Sequence, residues 1–351
     1  MKNNKILLGI THGDINGIGY EVILKTLMDT RILDFCIPVI YGSPKVAAYH
    51  KKALNLGNIS LNNIKNPEDA NPKKSNIINC VDDAIRVELG KSTQAAGEAS
   101  FIALDQAAGD LKEGKIDALI TSPINKENIQ SDQFSFPGHT EFLKERFEVS
   151  EVLMLMVSKL MKIGVVTGHV PLAKVPEMIN QESILSKLRI LHQSLKEDFG
   201  IRKPRIAILG LNPHAGDKGI IGHEEDETIS PAIKAAREED IMAFGPYPAD
   251  GFFGSGDFSK FDGTLAMYHD QGLAPFKAIT FDEGVNYTAG LPVIRTSPAH
   301  GTAFEIAGKD QASPESLRNA LYLACDIFKN RKMKENLESN KMSTYDLSDK
   351  A

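Results

Sequence analysis

Residues 205–216 read RIAILGLNPHAG: a short apolar, β-rich run from Arg205 to Leu209, then a glycine turn, then a histidine. The same plan recurs in KIGVVTGHV, residues 162–170, and in GTLAMYHDQG, residues 263–272. Four- to six-residue β-rich runs alternating with longer segments of helical period indicate an α/β fold with a largely parallel sheet. Further strands are expected at Lys5–Ile10, Ile37–Tyr41, Asp117–Ile120, Leu153–Val157 and Val293–Thr296. Helical periodicity is clearest over Thr93–Glu113, Pro176–Phe199, Ser230–Glu239 and Pro314–Asn330. Ser230-Pro231 and Ser313-Pro314 have the form of an N-cap followed by proline at the first helical position.

The chain has 351 residues, 42% hydrophobic and 25% charged, with a formal net charge of -6. At about 150 residues per domain this length suits two domains or one large one, with a core that needs no covalent staples. The mild negative charge excludes a nucleic-acid surface, which requires clustered Lys and Arg. An anionic ligand would have to be held by a few local cations. Cys36, Cys80 and Cys325 sit among apolar neighbours and read as buried thiols. The apolar run near the start, Ile6–Ile10, is too short for a secretory segment, and no stretch approaches the roughly 20 apolar residues of a membrane span. A reducing cytoplasm is the consistent setting. Asn66–Lys74 reads as a surface loop, the tail from Lys334 as frayed, and the acidic run Glu224–Glu227 as a solvated loop or first helical turn.

His169, His214 and His269 each stand just past an apolar strand, and ligands of open α/β sheets bind beyond the carboxyl ends of strands. Imidazole suits borderline divalent metals, and three ligands leave positions open for a substrate. Three satisfied structural histidines would give the same pattern, since their spacing carries no information. Pro137–Glu141 (PGHTE) opens a helix whose free N–H groups suit an anion, with His139 and Thr140 at its start, although Thr140 could serve only as an N-cap. Lys277, Asn286 and Arg295 follow, and a guanidinium pairs well with phosphate or carboxylate. The turn Gly13–Gly19 permits close approach of a ligand, but it is neither G-x-G-x-x-G nor a P-loop, so NAD binding does not follow from these residues.

Taken together, THGDINGIGYE (Thr11–Glu21), TSPINKE (Thr121–Glu127), GHTEF (Gly138–Phe142), GLNPHAG (Gly210–Gly216), GPYPAD (Gly245–Asp250), YHDQG (Tyr268–Gly272) and TSPAHGTAFEIAG (Thr296–Gly308) resemble the 4-hydroxythreonine-4-phosphate dehydrogenase family, in order and over nearly the whole chain. The resemblance implies two α/β/α domains with a cleft between them, similar to isocitrate and isopropylmalate dehydrogenases, which bind NAD(P) without a Rossmann fingerprint. One domain would comprise residues 1–130 plus 285–351, on the cofactor side, and the other residues 131–284, carrying dimerisation and metal. It implies a homodimer with a shared active site, one divalent ion (Zn, Mg, Mn or Co) held by His169, His214 and His269, and the last histidine supplied by the opposite subunit. His139, Thr140, Lys277, Asn286 and Arg295 would contact substrate. The opening loop departs from the family's GDPAGIGPE, with Ile15-Asn16 in place of Pro-Ala and Tyr20 in place of Pro.

The implied reaction is NAD-dependent oxidation (NADP being the alternative) and decarboxylation of 4-phosphooxy-L-threonine to 3-amino-2-oxopropyl phosphate, in pyridoxal 5'-phosphate biosynthesis. The residues do not identify the base: Asp250 is a candidate by resemblance, and a structural loop carboxylate is the other reading. Three rivals stand. One is a paralogous dehydrogenase of 4-phospho-D-threonate or 4-phospho-D-erythronate, one a metal-dependent hydrolase or aldolase, and one a silent metal-binding protein.

Overall fold

The computed structural model describes residues 5–57, 59–280 and 282–339. In chain order the first elements are β1 (Ile6–Thr11), α1 (Gly19–Leu27), β2 (Cys36–Gly42), α2 (Pro44–Ala53), β3 (Leu61–Ile64), β4 (Ser75–Asn79), α3 (Gln94–Lys112) and β5 (Ala118–Thr121). The middle contains α4 (His139–Arg146), β6 (Leu153–Val157), β7 (Lys162–Thr167), α5 (Val175–Met178), α6 (Gln181–Glu197), β8 (Arg205–Leu209), α7 (Ser230–Glu238), β9 (Met242–Tyr247) and α8 (Ala249–Gly254). The chain continues through β10 (Gly263–Tyr268), α9 (His269–Thr280), β11 (Val285–Ala289), β12 (Ile294–Pro298) and α10 (Glu315–Ser339).

The twelve strands among the described residues form one sheet, ordered β3-β4-β2-β1-β5-β12-β11-β6-β7-β10-β8-β9. The pairs β11–β12, β11–β6 and β6–β7 are antiparallel, and the others are parallel. Strands buried on both faces need apolar residues at successive positions, which is why the parallel strands read as continuous apolar runs. Helices cover both faces. On β2, Cys36 and Ile40 join a cluster with Leu24 of α1 and Leu321 of α10, whereas Val39 and Tyr41 face Ala103, Ala107 and Leu111 of α3. On β10, Leu265 packs with Leu188 and Leu191 of α6, while Ala266 faces Leu273 and Phe276 of α9.

Several local expectations are corrected. The segment Pro176–Phe199 is two helices rather than one: the Asn180 side chain accepts the Ser183 N–H and starts α6 afresh. Ser230 is not an N-cap, because a π-helical turn, Glu225–Ile229, already runs into α7. Thr140 is not one either. Gly138 occupies the N-cap of α4, so Thr140 lies inside the first turn. Within the acidic run, Glu225 is 3% exposed and accepts the Leu211 and Asn212 N–H groups. Helix α10 continues through Ser339, and the rest of the tail lies outside the described residues.

The unusual opening loop has a structural account. The Tyr20 ring stacks between His12 and His50, with centroids 5.4 and 5.1 Å away, and its hydroxyl accepts the Ser43 N–H at 2.9 Å. Asn16 donates to the Lys91 carbonyl and to Thr93 Oγ1 and accepts the Glu88 N–H, tying the loop to the segment before α3.

Candidate active site

A cavity of about 290 Å³ lies over the middle of the sheet, where strand direction changes. Register explains its wall. Asn286 of β11 stands opposite Ser297 of β12 on one side and Met156 of β6 on the other, so all three side chains share a face, and all three line the cavity. Two residues from Ser297 along β12, on the same face, is Arg295. The C-terminal ends of β7 and β10 deliver His169 and His269; α4 adds His139, Thr140 and Glu141, and α9 adds Lys277.

Arg295 is 2% exposed, and its guanidinium donates to Thr121 Oγ1 from Nε (3.0 Å) and Nη2 (2.6 Å) and to Thr288 Oγ1 from Nη1 (3.0 Å). Both acceptors are neutral, and no ion pair forms between Arg295 and a carboxylate among the described residues. Burial lowers its pKa to about 10, opposed only by the Glu141 charge. An uncompensated buried cation is costly, so the pocket is built for an anion. Beside it, His139 is held well below the ordinary histidine pKa, first by burial and then by Arg295 and Lys126. His139 Nε2 and Asn286 Oδ1 are buried without protein partners, and so is His300 Nε2. These are polar atoms awaiting a ligand.

The His169 and His269 rings lie 5.7 Å apart between centroids. Burial lowers the His169 pKa, with Lys126 and His269 adding to the effect and Glu141 opposing it, so the imidazole is presented as the neutral donor that metals require. His269 Nδ1 lies 2.7 Å from Asp270 Oδ1, a contact of the kind that fixes the orientation of a ligating ring. The two histidines belong to one chain. Strands β7 and β10 are parallel neighbours, with Thr167 opposite Tyr268, so the residues that follow them must stand side by side. This corrects the expectation that His269 comes from an opposite subunit. His214 is the one that stays away: it is exposed, on a turn beyond β8, and does not line the cavity. Among the described residues no group of three His, Cys, Asp or Glu side chains could hold a metal ion. One chain therefore fits a metal with two imidazoles and leaves its coordination incomplete.

Asp250 is also absent from the cavity; it is exposed on α8, which packs against the turn carrying His214. Conversely, Glu141, Lys126 and His300 line the cavity without having been singled out in the sequence. Glu141 lay in the quoted GHTEF, and Lys126 in TSPINKE, but position in a motif does not tell which side chains face inward.

Residues 34–324 match the family described as pyridoxal phosphate biosynthetic protein PdxA. The chain belongs to that family. A 4-hydroxythreonine-4-phosphate dehydrogenase from Bacteroides thetaiotaomicron is 54% identical over 94% of this chain and 91% of its own. A relative from Oceanobacillus iheyensis, provisionally named D-threonate 4-phosphate dehydrogenase, is 38% identical over 93% of this chain and 98% of its own. Among solved structures, 4-hydroxythreonine-4-phosphate dehydrogenase from Klebsiella pneumoniae superposes with a TM-score of 0.82 at 34% identity, covering 93% of this chain and 99% of that one. Isocitrate dehydrogenase from Methylococcus capsulatus shares the fold at 11% identity, with a TM-score of 0.51 over 95% of this chain and 88% of that one. No helix among the described residues is long and apolar enough to cross a membrane.

Proposed function

We propose that this PdxA-family protein oxidises 4-phosphooxy-L-threonine with NAD and decarboxylates the resulting β-keto acid to 3-amino-2-oxopropyl phosphate. The observation that carries the reading is the buried Arg295 guanidinium without a carboxylate partner, facing a cavity that also receives Lys277, Lys126 and the start of α4. Such a constellation suits a phosphate, and relatives that cover nearly the same length are named for a phosphorylated substrate.

Arg295 and Lys277 would hold the phosphate, with the open acceptor of Asn286 and the α4 N–H groups ordering the rest of the substrate. Anchoring at the phosphate fixes the C3 hydroxyl at the far end of the cavity, beside His169 and His269. Those two imidazoles, completed by His214 of the partner subunit, would hold a divalent cation (Zn, Mg, Mn or Co). When bound, the cation supplies Lewis acidity toward the hydroxyl and NAD accepts the hydride. Asp250, on the helix packed beside the His214 turn, would take the hydroxyl proton and would then also belong to the partner's side. Assembly of two copies is supported by apolar residues left in solvent on both sides of the missing contact. Ile220 (80% exposed) flanks the His214 turn, and Leu172 (71% exposed) lies beside His169 and His269.

A second reading, oxidation of D-threonate 4-phosphate or D-erythronate 4-phosphate, is favoured by the name of the relative from Oceanobacillus iheyensis. Steady-state NADH formation with each of the three substrates, in the presence of divalent metal, decides between them. The proposal requires the highest kcat/KM for 4-phosphooxy-L-threonine. Release of inorganic phosphate or of an aldehyde without NADH would replace it with hydrolase or aldolase chemistry.

A further inference from the structure

In the turn beyond β8, every residue from His214 to Gly219 has a positive φ, between 43° and 89°. Four of them, His214, Ala215, Asp217 and Lys218, bear a Cβ, and elsewhere among the described residues such angles at non-glycine positions occur singly. Left-handed backbone brings each Cβ close to a carbonyl oxygen, so the run is disfavoured at every one of these residues. It persists only where the surroundings over-determine it, and such strain gathers where a group has to be held in place.

The surroundings here are Glu225. Its carboxylate is buried beneath the turn: Oε1 accepts the Leu211 N–H at 2.7 Å and the Asn212 N–H at 2.8 Å, and Oε2 accepts from Asn212 Nδ2 at 3.0 Å. Oε2 also fills the hollow of the turn, since a Cβ on Gly216 would come within 2.6 Å of it. No cation pairs with Glu225 among the described residues. A buried carboxylate without a counter-charge is costly, and these three hydrogen bonds all come from the two residues that lead into the turn.

We infer that Glu225 is a positioning residue: it holds Pro213–Gly219 in the left-handed form, so that His214 is presented to the shared metal site already in place. The inference rests on the reading that His214 completes that site in the dimer. An imidazole arriving from a separate chain ligates well only if its own backbone is fixed in advance. Without Glu225 the left-handed residues relax, and the Cα–Cβ bond of His214 turns with them.

Titration of the metal-free protein with Co2+ alone, followed by the visible absorption of the bound ion, reads this presentation apart from turnover. Glu225→Ala should weaken Co2+ binding about tenfold to a hundredfold, the usual effect of removing a group that orients a ligand. Glu225→Gln, whose amide oxygen still accepts the two N–H groups, should lose less, and it carries the comparison below should the alanine variant not fold. Lys218 decides the matter, because its side chain is exposed and makes no hydrogen bond or ion pair among the described residues. In the Glu225→Ala background, Lys218→Gly relieves one left-handed residue and should recover about fivefold in affinity. Lys218→Ala removes the same charge but keeps a Cβ, and should recover none. With Glu225 intact the two Lys218 variants should bind Co2+ alike. Equal recovery in both double variants, recovery in neither, or unchanged affinity in Glu225→Ala would overturn the inference. His214→Ala separates the two levels of argument. If it binds Co2+ as tightly as wild type and with the same spectrum, the reading of His214 as a ligand fails; if it loses Co2+ while Glu225→Ala does not, only the role of Glu225 fails.

Discussion

Replacing Arg295 with methionine separates a residue that stabilises the fold from one that waits for a ligand. The guanidinium is fully enclosed, and its pKa of about 10 measures how much the site disfavours the charged form. Converted at 1.36 kcal/mol per pKa unit, the drop from the ordinary arginine value amounts to about 3 kcal/mol of folding free energy. The sign is fixed: a depressed basic pKa is a penalty present throughout neutral pH and relieved only as pH rises through about 10. Methionine removes that penalty but takes donors from Thr121 and Thr288, at about 1 kcal/mol for each hydroxyl left without one. The unliganded variant should therefore unfold within about 2 kcal/mol of wild type, where a structural buried ion pair would lose 3–5 kcal/mol on truncation. The ligand side differs. Loss of a bidentate guanidinium contact to phosphate should weaken substrate binding by at least about a hundredfold. Urea unfolding with and without millimolar inorganic phosphate reads both quantities: wild type should be stabilised by phosphate and Arg295→Met should not. If the variant is much less stable without phosphate yet still gains from phosphate, Arg295 is a core residue and the anion site lies elsewhere.

Arg295→Lys, which keeps charge but loses the planar fork, should raise KM for substrate several-fold and leave the KM for NAD nearly unchanged; equal effects on both would contradict the assignment. Because His169 and His269 adjoin within one chain, mixing inactive His169→Ala with inactive His269→Ala should restore nothing, whereas mixing His169→Ala with His214→Ala should restore about a quarter of wild-type activity by two-chain statistics. Metal content of the same samples checks the origin of the effect, and recovery in the first mixture would reverse the arrangement. Burial lowers His12 and His50 each to about 4, so the unfolded chain takes up protons first as pH falls below the ordinary histidine value. Stability should then fall between roughly pH 6.5 and pH 4, by up to about 3 kcal/mol per histidine, and a urea midpoint that stays flat over that interval would refute it.

Seven of the eight strands legible in the sequence are largely apolar, the eighth, β12 (IRTSP), was legible only from its apolar start at Val293-Ile294, and the ends fell within a residue or two of the observed ones. The other four were hidden for identifiable reasons. β3 (LNNI) and β4 (SNIIN) carry asparagines at one edge of the sheet, and β9 contains Gly245-Pro246 at the other. β11 (VNYTA) alternates polar and apolar because Asn286 faces the cavity and Thr288 accepts from Arg295, so function breaks the hydrophobic pattern. Within the site, His139, Thr140, Lys277, Asn286, Arg295, His169 and His269 do converge. What the sequence could not convey was which strand ends are neighbours, and this misplaced His269. Nor could it reveal that Glu141 points inward.

The position of β12 bears on how the protein is made. This strand lies between β5 and β11 near the centre of the sheet, yet among the described residues it is the last strand to be synthesised. Before residue 285 emerges, β5 and β6 are each an open edge, and unpaired edges invite pairing with other chains. Joining the halves demands contacts spanning well over a hundred residues, since Ile294 pairs with Ala118, and closures of that length are slow. A chain ending before Val285 should therefore emerge from the ribosome with two exposed edges and aggregate, which light scattering during translation would register, whereas a chain that extends through Pro298 seals both edges with fourteen further residues, from Val285 to Pro298.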